Sequence, residues 1–180
     1  FVTDAVNTFS QGKIKTFSHL HVPVVIAEAD RQNVPVCFLI RQPRDAVCSL
    51  ALHSNWSVQR CLEHYVEYHR IVCRWADSLR VFEFESFTSD ISLLFDELDE
   101  AFGVQFRDVS HERVEREVFC KIESRQLERK GVVDESVVHR PSAVRAAAKS
   151  ELICELEQNP RLLDQAESLY TEFAQVSNSE

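Results

Sequence analysis

The sequence predicts an α/β fold, a partial three-layer sandwich around a short parallel sheet, with a helix-rich C-terminal half. Three observations lead to this fold class. Val34–Ile40 is a short apolar run rich in β-branched residues, which is typical of a buried strand. A polar turn and a helical pattern follow it directly, and this order presents ligands at the carboxyl end of a strand. The second half of the chain shows mainly helical periodicity.

The remaining elements follow from spacing and from residues that begin or end helices. Apolar residues from Val58 to Leu79 recur on one side of a helix at about 100° per residue. Gly103 is a typical helix stop, and Asn159-Pro160 pairs a capping residue with proline at a first helical position. The sequence therefore predicts helices over Val22–Arg31, Val58–Leu79, Ser89–Phe102, Ser142–Gln158 and from Pro160, with a second strand over Arg80–Glu85.

Composition indicates a single globular domain spanning residues 1–180. Of the 180 residues, 44% are apolar and 27% are charged, which suffices for one hydrophobic core. No apolar run approaches the roughly 20 residues of a membrane span, and no secretory leader is visible in the sequence. The net charge of −9 argues against a general nucleic-acid binder but is compatible with a small anionic ligand in a locally positive pocket.

Two further features bear on the origin of the chain. It has no Met and begins with Phe1, so we expect further residues to precede it. Its six cysteines form no CxxC pair, so they are interpreted as reduced and mostly buried thiols, which favours the cytoplasm.

The segment Arg41–Ser49, reading RQPRDAVCS, is the most informative candidate site. Arg41 follows a predicted buried strand, and Ser49 lies eight residues on, in the predicted helix. A guanidinium, a hydroxyl and the orphan N–H groups of a helix start are all suited to binding a phosphate. The alternative is a solvated turn in which Asp45 lies near a helix start.

This segment resembles the R-N-P-x-D-x-x-x-S motif of sulfotransferases that use 3′-phosphoadenosine 5′-phosphosulfate (PAPS). The resemblance implies that Arg41 and Ser49 bind the nucleotide 3′-phosphate. Two softer similarities accompany it. Val81–Phe87 resembles the family strand V-x-x-Y-E-D-L, with Phe84 in place of the tyrosine, and could equally be a core strand. Arg129, Lys130 and Gly131 resemble the R-K-G that closes over the 3′-phosphate, and could equally be a solvated basic triplet.

The family's catalytic histidine also has a counterpart. Family members carry Lys-Thr-His-Leu 22 residues before the arginine, and His19-Leu20 stands at that distance from Arg41. The resemblance implies that His19 is the general base and that Lys15, or Lys13, stabilises the leaving phosphate. Phe17-Ser18 separates Lys15-Thr16 from His19, which leaves His21, or neither histidine, as alternatives for the base.

The family resemblance implies a fold like that of P-loop NTPases and transfer of a sulfuryl group from PAPS to a hydroxyl or amine of a small molecule or glycan, without a metal. The family's phosphosulfate-binding loop has no counterpart here, so we expect it to precede Phe1 and expect this chain alone to be inactive. Two alternatives remain open: a degenerate, non-catalytic binding module, and another P-loop phosphotransferase that needs Mg²⁺. A metal site on the predicted long helix is disfavoured, because its candidate ligands spread over half of the helix circumference; these are Cys61, His64, His69 and Cys73.

Overall fold

A computed structural model of the chain describes residues 2–10, 22–34, 36–54, 56–103, 106, 109–132 and 143–177. The two strands are β1 (Cys37–Ile40) and β2 (Arg80–Glu83). The helices are α1 (Val2–Phe9), α2 (Pro23–Arg31), α3 (Pro43–His53), α4 (Val58–Val72), α5 (Phe84–Ser89), α6 (Ser92–Phe102), α7 (His111–Lys130), α8 (Ala143–Leu156) and α9 (Pro160–Ser177), with a 3₁₀ helix over Cys73–Ser78.

The described residues form two compact units, each made from two stretches of the chain. Unit 1 comprises residues 1–19 and 86–144, and unit 2 comprises residues 20–85 and 145–180. In unit 1 the Phe9 ring packs edge-on against Phe95 at 5.9 Å between centroids. Arg125 pairs with Asp4 at 2.5 Å, so α1 and α7 are joined by an ion pair. Val114 is among the fully buried residues of α7.

Unit 2 holds the sheet, in which β1 and β2 run parallel with Ile40 opposite Glu83. One apolar cluster joins the sheet to α2, α4 and α9, and its members include Phe38 of β1, Ile26 of α2, Val72 of α4 and Phe173 of α9. A second cluster joins α3, α4, α8 and α9. The α/β class is therefore confirmed in its coarse form, helices with a small parallel sheet, whereas a sulfotransferase-like arrangement stays a prediction.

Helix α4 shows how the local sequence produces this packing. The Ser57 hydroxyl accepts a hydrogen bond from the Arg60 N–H at 3.3 Å, so it caps the first turn. The predicted apolar side of the helix is indeed buried, including Val58, Tyr65 and Val72. The α-helix ends at Val72, earlier than predicted, and continues as the 3₁₀ helix. Tighter 3₁₀ turns are common at helix ends, and this one delivers the buried Leu79 to the start of β2.

Several other predicted boundaries shift for physical reasons. The second strand ends at Glu83 rather than Glu85, because its partner strand ends at Ile40 and no further pairing is available. Phe84 and Glu85 instead begin α5. Helix α6 begins at Ser92 rather than Ser89, after a turn in which the Asp90 carboxylate accepts from the Ser92 N–H at 3.0 Å. The Gly103 stop is confirmed, with the glycine in the left-handed region at φ 63°.

The prediction that most cysteines are buried is wrong. All six are free thiols, but Cys37, Cys120 and Cys154 are exposed and only Cys48 and Cys61 are buried. Cys120 lies on α7 and Cys154 on α8, and both residues fall on solvent-facing positions of these helices. A cysteine's apolar character therefore did not decide its burial in this chain.

Candidate functional site

The carboxyl edge of the two-stranded sheet brings together the two unit 2 segments singled out by the sequence. Arg41 follows the last residue of β1, and Phe84 follows the last residue of β2. Because the strands are parallel, both segments leave the sheet at the same edge. The Arg41 guanidinium carbon lies 4.6 Å from the centroid of the Phe84 ring, a cation–π contact. The Gln42 N–H donates to the Glu85 carboxylate at 3.1 Å.

The Asp45 carboxylate forms ion pairs with both Arg41 and Lys149, a residue from the C-terminal part of the chain. Arg41 Nη2 lies 3.1 Å from Asp45 Oδ2, and Lys149 Nζ of α8 lies 2.8 Å from Asp45 Oδ1. Burial alone would raise the pKa of Asp45. The hydrogen bond from Lys149 and the charge of Arg41 outweigh that effect and hold the pKa below its ordinary value of 3.8.

One donor of Arg41 is left over at this edge. The Arg41 Nε atom is buried and has no hydrogen-bond partner among the residues that the structure describes. A buried donor without a partner is costly, because it has lost its hydration and gained nothing in return. Such a donor is a natural contact for a ligand oxygen.

Two tyrosines fix the backbone and the second strand end. Tyr65 Oη donates to the Arg41 carbonyl oxygen at 2.9 Å, and Tyr170 Oη donates to the Glu83 carboxylate at 2.9 Å. Burial raises the pKa of both phenols, and for Tyr170 the nearby Glu83 carboxylate adds to it. Both therefore act as neutral donors that orient the site.

Ser49 lies further along the same helix as Asp45. It is half-buried, four residues after Asp45, so the two side chains leave the same side of α3 one turn apart. Arg41, Asp45 and Ser49 of the sequence motif are thus grouped by a strand end and the first turns of the following helix. Pro43 begins α3 at its first position, where the missing N–H has no cost.

The other predicted site residues lie in unit 1 or outside the described residues. Gly131 belongs to unit 1 and ends α7 at φ 69°, with its N–H bonded to the Leu127 carbonyl at 2.8 Å. Arg129 and Lys130 form the last turn of α7, and their side chains lie outside the described part of the structure. The glycine is accounted for by helix termination. The residues assigned to catalysis, His19 and Lys15, together with their alternatives His21 and Lys13, also lie outside the described residues.

Sequence reasoning missed several members of this edge. Lys149 was placed in a helix without any role, since it stands 104 residues from Asp45 and no local signal links the two. Tyr65 was assigned only to the apolar side of its helix, and its hydroxyl contact could not be foreseen. Glu85 did carry a signal, because it lies inside the second segment that resembles the sulfotransferase pattern.

The edge already contains its own anions. Arg41 and Lys149 both face the Asp45 carboxylate, and the Glu85 carboxylate holds the N–H of Gln42, the N-cap residue of α3. A phosphate or sulfate could use the orphan Arg41 Nε and the helix start, but it would compete with these carboxylates. An anion at this edge would therefore compete with the resident carboxylates for the same donors.

The two histidines considered above as metal ligands have other contacts. The His64 ring packs edge-on against Trp56 at 5.5 Å, and the buried His69 ring stacks on Tyr65 at 3.8 Å. Within the described residues, no group of three or more His, Cys, Asp or Glu side chains is placed to hold a metal ion. No helix in the described ranges combines the length and apolar character needed to cross a membrane.

Comparison of the chain with protein-family models, curated proteins and solved structures gave no match in any of the three.

Proposed function

We propose that the chain belongs to a sulfotransferase that uses PAPS, with Arg41 and Ser49 binding the nucleotide 3′-phosphate. The single observation that carries this proposal is the contact between its two family-like segments. Arg41 stacks on Phe84, and the adjacent Gln42 N–H bonds Glu85, at the carboxyl edge of a parallel strand pair. Open α/β sheets bind ligands at such an edge. Two independent sequence similarities thus meet where a ligand is expected.

The chemistry proposed is an in-line displacement at sulfur. The acceptor oxygen or nitrogen forms a bond to sulfur while the bond from sulfur to the phosphate oxygen breaks, and 3′-phosphoadenosine 5′-phosphate leaves. By resemblance, His19 takes the acceptor proton and Lys15 stabilises the leaving phosphate. Arg41 and Ser49 contribute by positioning the nucleotide, because fixing the reacting groups in line removes much of the entropic barrier. An acceptor hydroxyl or amine on a small molecule or glycan fits this reaction.

The test is calorimetric binding of 3′-phosphoadenosine 5′-phosphate to the chain and to the variants Arg41→Ala and Ser49→Ala. Loss of a charge-assisted hydrogen bond is worth about 1.5–3 kcal/mol, so Arg41→Ala should weaken binding by roughly 10- to 100-fold. Ser49→Ala should weaken it by a smaller factor, because a neutral hydroxyl contributes roughly 1 kcal/mol.

Arg44→Ala is the matched control. Arg44 lies three residues from Arg41 and also carries a positive charge, but it is paired with Glu157 and Glu167 on the surface. It should leave nucleotide binding within about twofold, since exposed ion pairs contribute little. Equal losses in Arg41→Ala and Arg44→Ala would indicate a non-specific charge effect. Absence of binding to a folded parent chain would remove the cofactor and the proposal with it.

A second candidate is a non-catalytic member of the same fold. The observation in its favour is that Phe84 stands where the family pattern has a tyrosine, and that Phe17-Ser18 separates Lys15-Thr16 from His19. Nucleotide binding without sulfuryl transfer would support this candidate if it is measured on a protein that also carries a phosphosulfate-binding loop, because this chain alone is expected to be inactive in either case. A nucleoside triphosphate that binds only with Mg²⁺ would instead favour a phosphotransferase.

A further inference from the structure

We infer that Asp45 is an exchangeable internal counter-ion, and that Lys149 is a second cation of the Arg41 anion site. This inference rests on the proposed function, since the anion concerned is the nucleotide 3′-phosphate or the inorganic ion of the same chemistry. Neither the family resemblance nor the sequence pattern assigns a role to Lys149. It enters the site only through the fold.

The first step is the geometry around Asp45. Each of its carboxylate oxygens contacts one cation, Arg41 Nη2 at 3.1 Å and Lys149 Nζ at 2.8 Å. The two cations therefore contact different oxygens of one small anion. A phosphate oxygen pair has a similar span and the same preference for two charged donors.

The second step is the unequal exposure of the three side chains. The Arg41 and Lys149 side chains are 27% and 22% exposed, whereas that of Asp45 is 48% exposed. Leaving a covered cation without an anion costs more free energy than leaving an exposed carboxylate without a cation, because water can hydrate the exposed carboxylate. The anion is thus the member of the group that can leave toward solvent and be replaced.

The third step is the donor that Asp45 does not satisfy. The Arg41 Nε is buried without a hydrogen-bond partner among the described residues, although Nη2 of the same guanidinium is paired. Asp45 therefore accepts from only one of these two guanidinium donors. Phosphate binds such a fork through two oxygens, so exchange of Asp45 for phosphate would satisfy one more buried donor.

Arg44 shows that this arrangement differs from an ordinary surface ion pair. Its side chain is 44% exposed and meets Glu157 and Glu167, which are themselves 59% and 46% exposed. All three side chains are exposed to solvent, so water can hydrate each charge without an ion-pair partner. Arg44 therefore serves as the control for the Lys149 experiment.

The experiment measures binding of inorganic phosphate and of 3′-phosphoadenosine 5′-phosphate by calorimetry. The variants are Asp45→Asn, Lys149→Gln, the two combined, and Arg44→Gln, with circular dichroism to verify folding. Asp45→Asn keeps the side-chain shape and removes the competing charge, so it should bind phosphate at least about tenfold more tightly than the parent. Lys149→Gln should weaken binding by about tenfold in both backgrounds, while Arg44→Gln should not change it.

Each outcome decides between the two proposals. If Asp45→Asn does not tighten binding, or Lys149→Gln does not weaken it, the counter-ion inference is wrong even where the nucleotide binds the parent. If phosphate binding follows the expected pattern but the nucleotide binds no better than phosphate, the inference stands and the sulfotransferase proposal fails. If no folded variant binds either probe, both are overturned.

Discussion

At the scale of single residues, Asp45 decides the electrostatics of the sheet edge. It lies one helical turn after Arg41, and its carboxylate also receives Lys149 from a distant helix. Arg41 in turn is held from three directions, by Asp45, by the Phe84 ring and through its carbonyl by Tyr65. The guanidinium is therefore preorganised, which lowers the entropy that a ligand must remove on binding.

The lowered pKa of Asp45 predicts how stability depends on pH. The folded state holds this carboxyl group ionised, so its contribution is complete above the ordinary pKa of 3.8 and is lost as the pH falls through the lower folded value. We expect Asp45→Asn to reduce the free energy of unfolding by about 1 kcal/mol or less at pH 7, because the pair is partly exposed. Urea denaturation at intervals between pH 7 and pH 3 should show this difference shrinking below pH 4.

Asp164→Asn is the control for that series, because Asp164 is an exposed residue of α9 with the same side chain. At every pH, Asp164→Asn should change the free energy of unfolding by less than Asp45→Asn does. A difference for Asp45→Asn that stays constant down to pH 3 would contradict the assigned ion pairs.

At the scale of elements, the helix ends follow local chemistry. Ser57 and Ser110 each accept a hydrogen bond from the N–H three residues on, at 3.3 Å, and so begin α4 and α7. Asn33 ends α2 in the left-handed region at φ 53°, and the Val34 N–H returns to the Ala29 carbonyl at 2.9 Å. Asparagine tolerates this conformation better than other non-glycine residues, which explains its use there.

The Ser57 cap gives a test at this scale. Ser57→Ala removes the acceptor of a first-turn N–H and should lower the free energy of unfolding by about 1 kcal/mol. Ser150→Ala is the matched control, because the Ser150 hydroxyl donates to the Ala146 carbonyl within α8 and satisfies no orphan group. That second change should be neutral within a few tenths of a kcal/mol. Equal effects of the two variants in chemical denaturation would refute the capping role.

At the scale of the whole molecule, neither compact unit is continuous in sequence. Unit 2 closes only when α9 returns from the end of the chain to the sheet and to α4. Phe173 of α9 is fully buried and lies 5.1 Å from the Phe38 ring of β1, measured between centroids. The candidate site depends on the same return, because α8 brings Lys149 and α9 brings Tyr170.

Phe173 should therefore carry a large share of the stability of unit 2. Phe173→Ala removes a buried ring and leaves a cavity, so we expect a loss of about 3–5 kcal/mol in the free energy of unfolding. Leu127→Ala is the control, since Leu127 is a 55% exposed apolar residue of α7 and its loss should cost less than about 0.5 kcal/mol. A loss below about 1 kcal/mol for Phe173→Ala in urea denaturation would show that α9 does not close the core as described.

The sequence by itself determined the elements whose signals are local. The helix from Pro43, the stop at Gly103 and the last helix from Pro160 lie where short-range patterns predicted them. The strand before Arg41 also forms, but it begins at Cys37 rather than Val34, because the Val34 N–H bonds the Ala29 carbonyl in the turn that ends α2. Helix α7 was missed because its surface is polar nearly all round, although its Ser110 cap and Gly131 stop were available as signals. Element type depends on backbone geometry and spacing, which neighbouring residues largely fix.

Only the tertiary structure decided what surrounds Arg41. The contacts to Phe84, Glu85 and Lys149 span long stretches of chain, and no periodicity or capping rule relates such distant positions. Packing of α9 and α8 against the sheet and α3 places these side chains at one edge. Partial burial at that edge sets how strongly their charges interact. A motif can name the residue that would bind an anion, but the competing carboxylate and the second cation arise from packing, because electrostatic interactions act across space rather than along the chain.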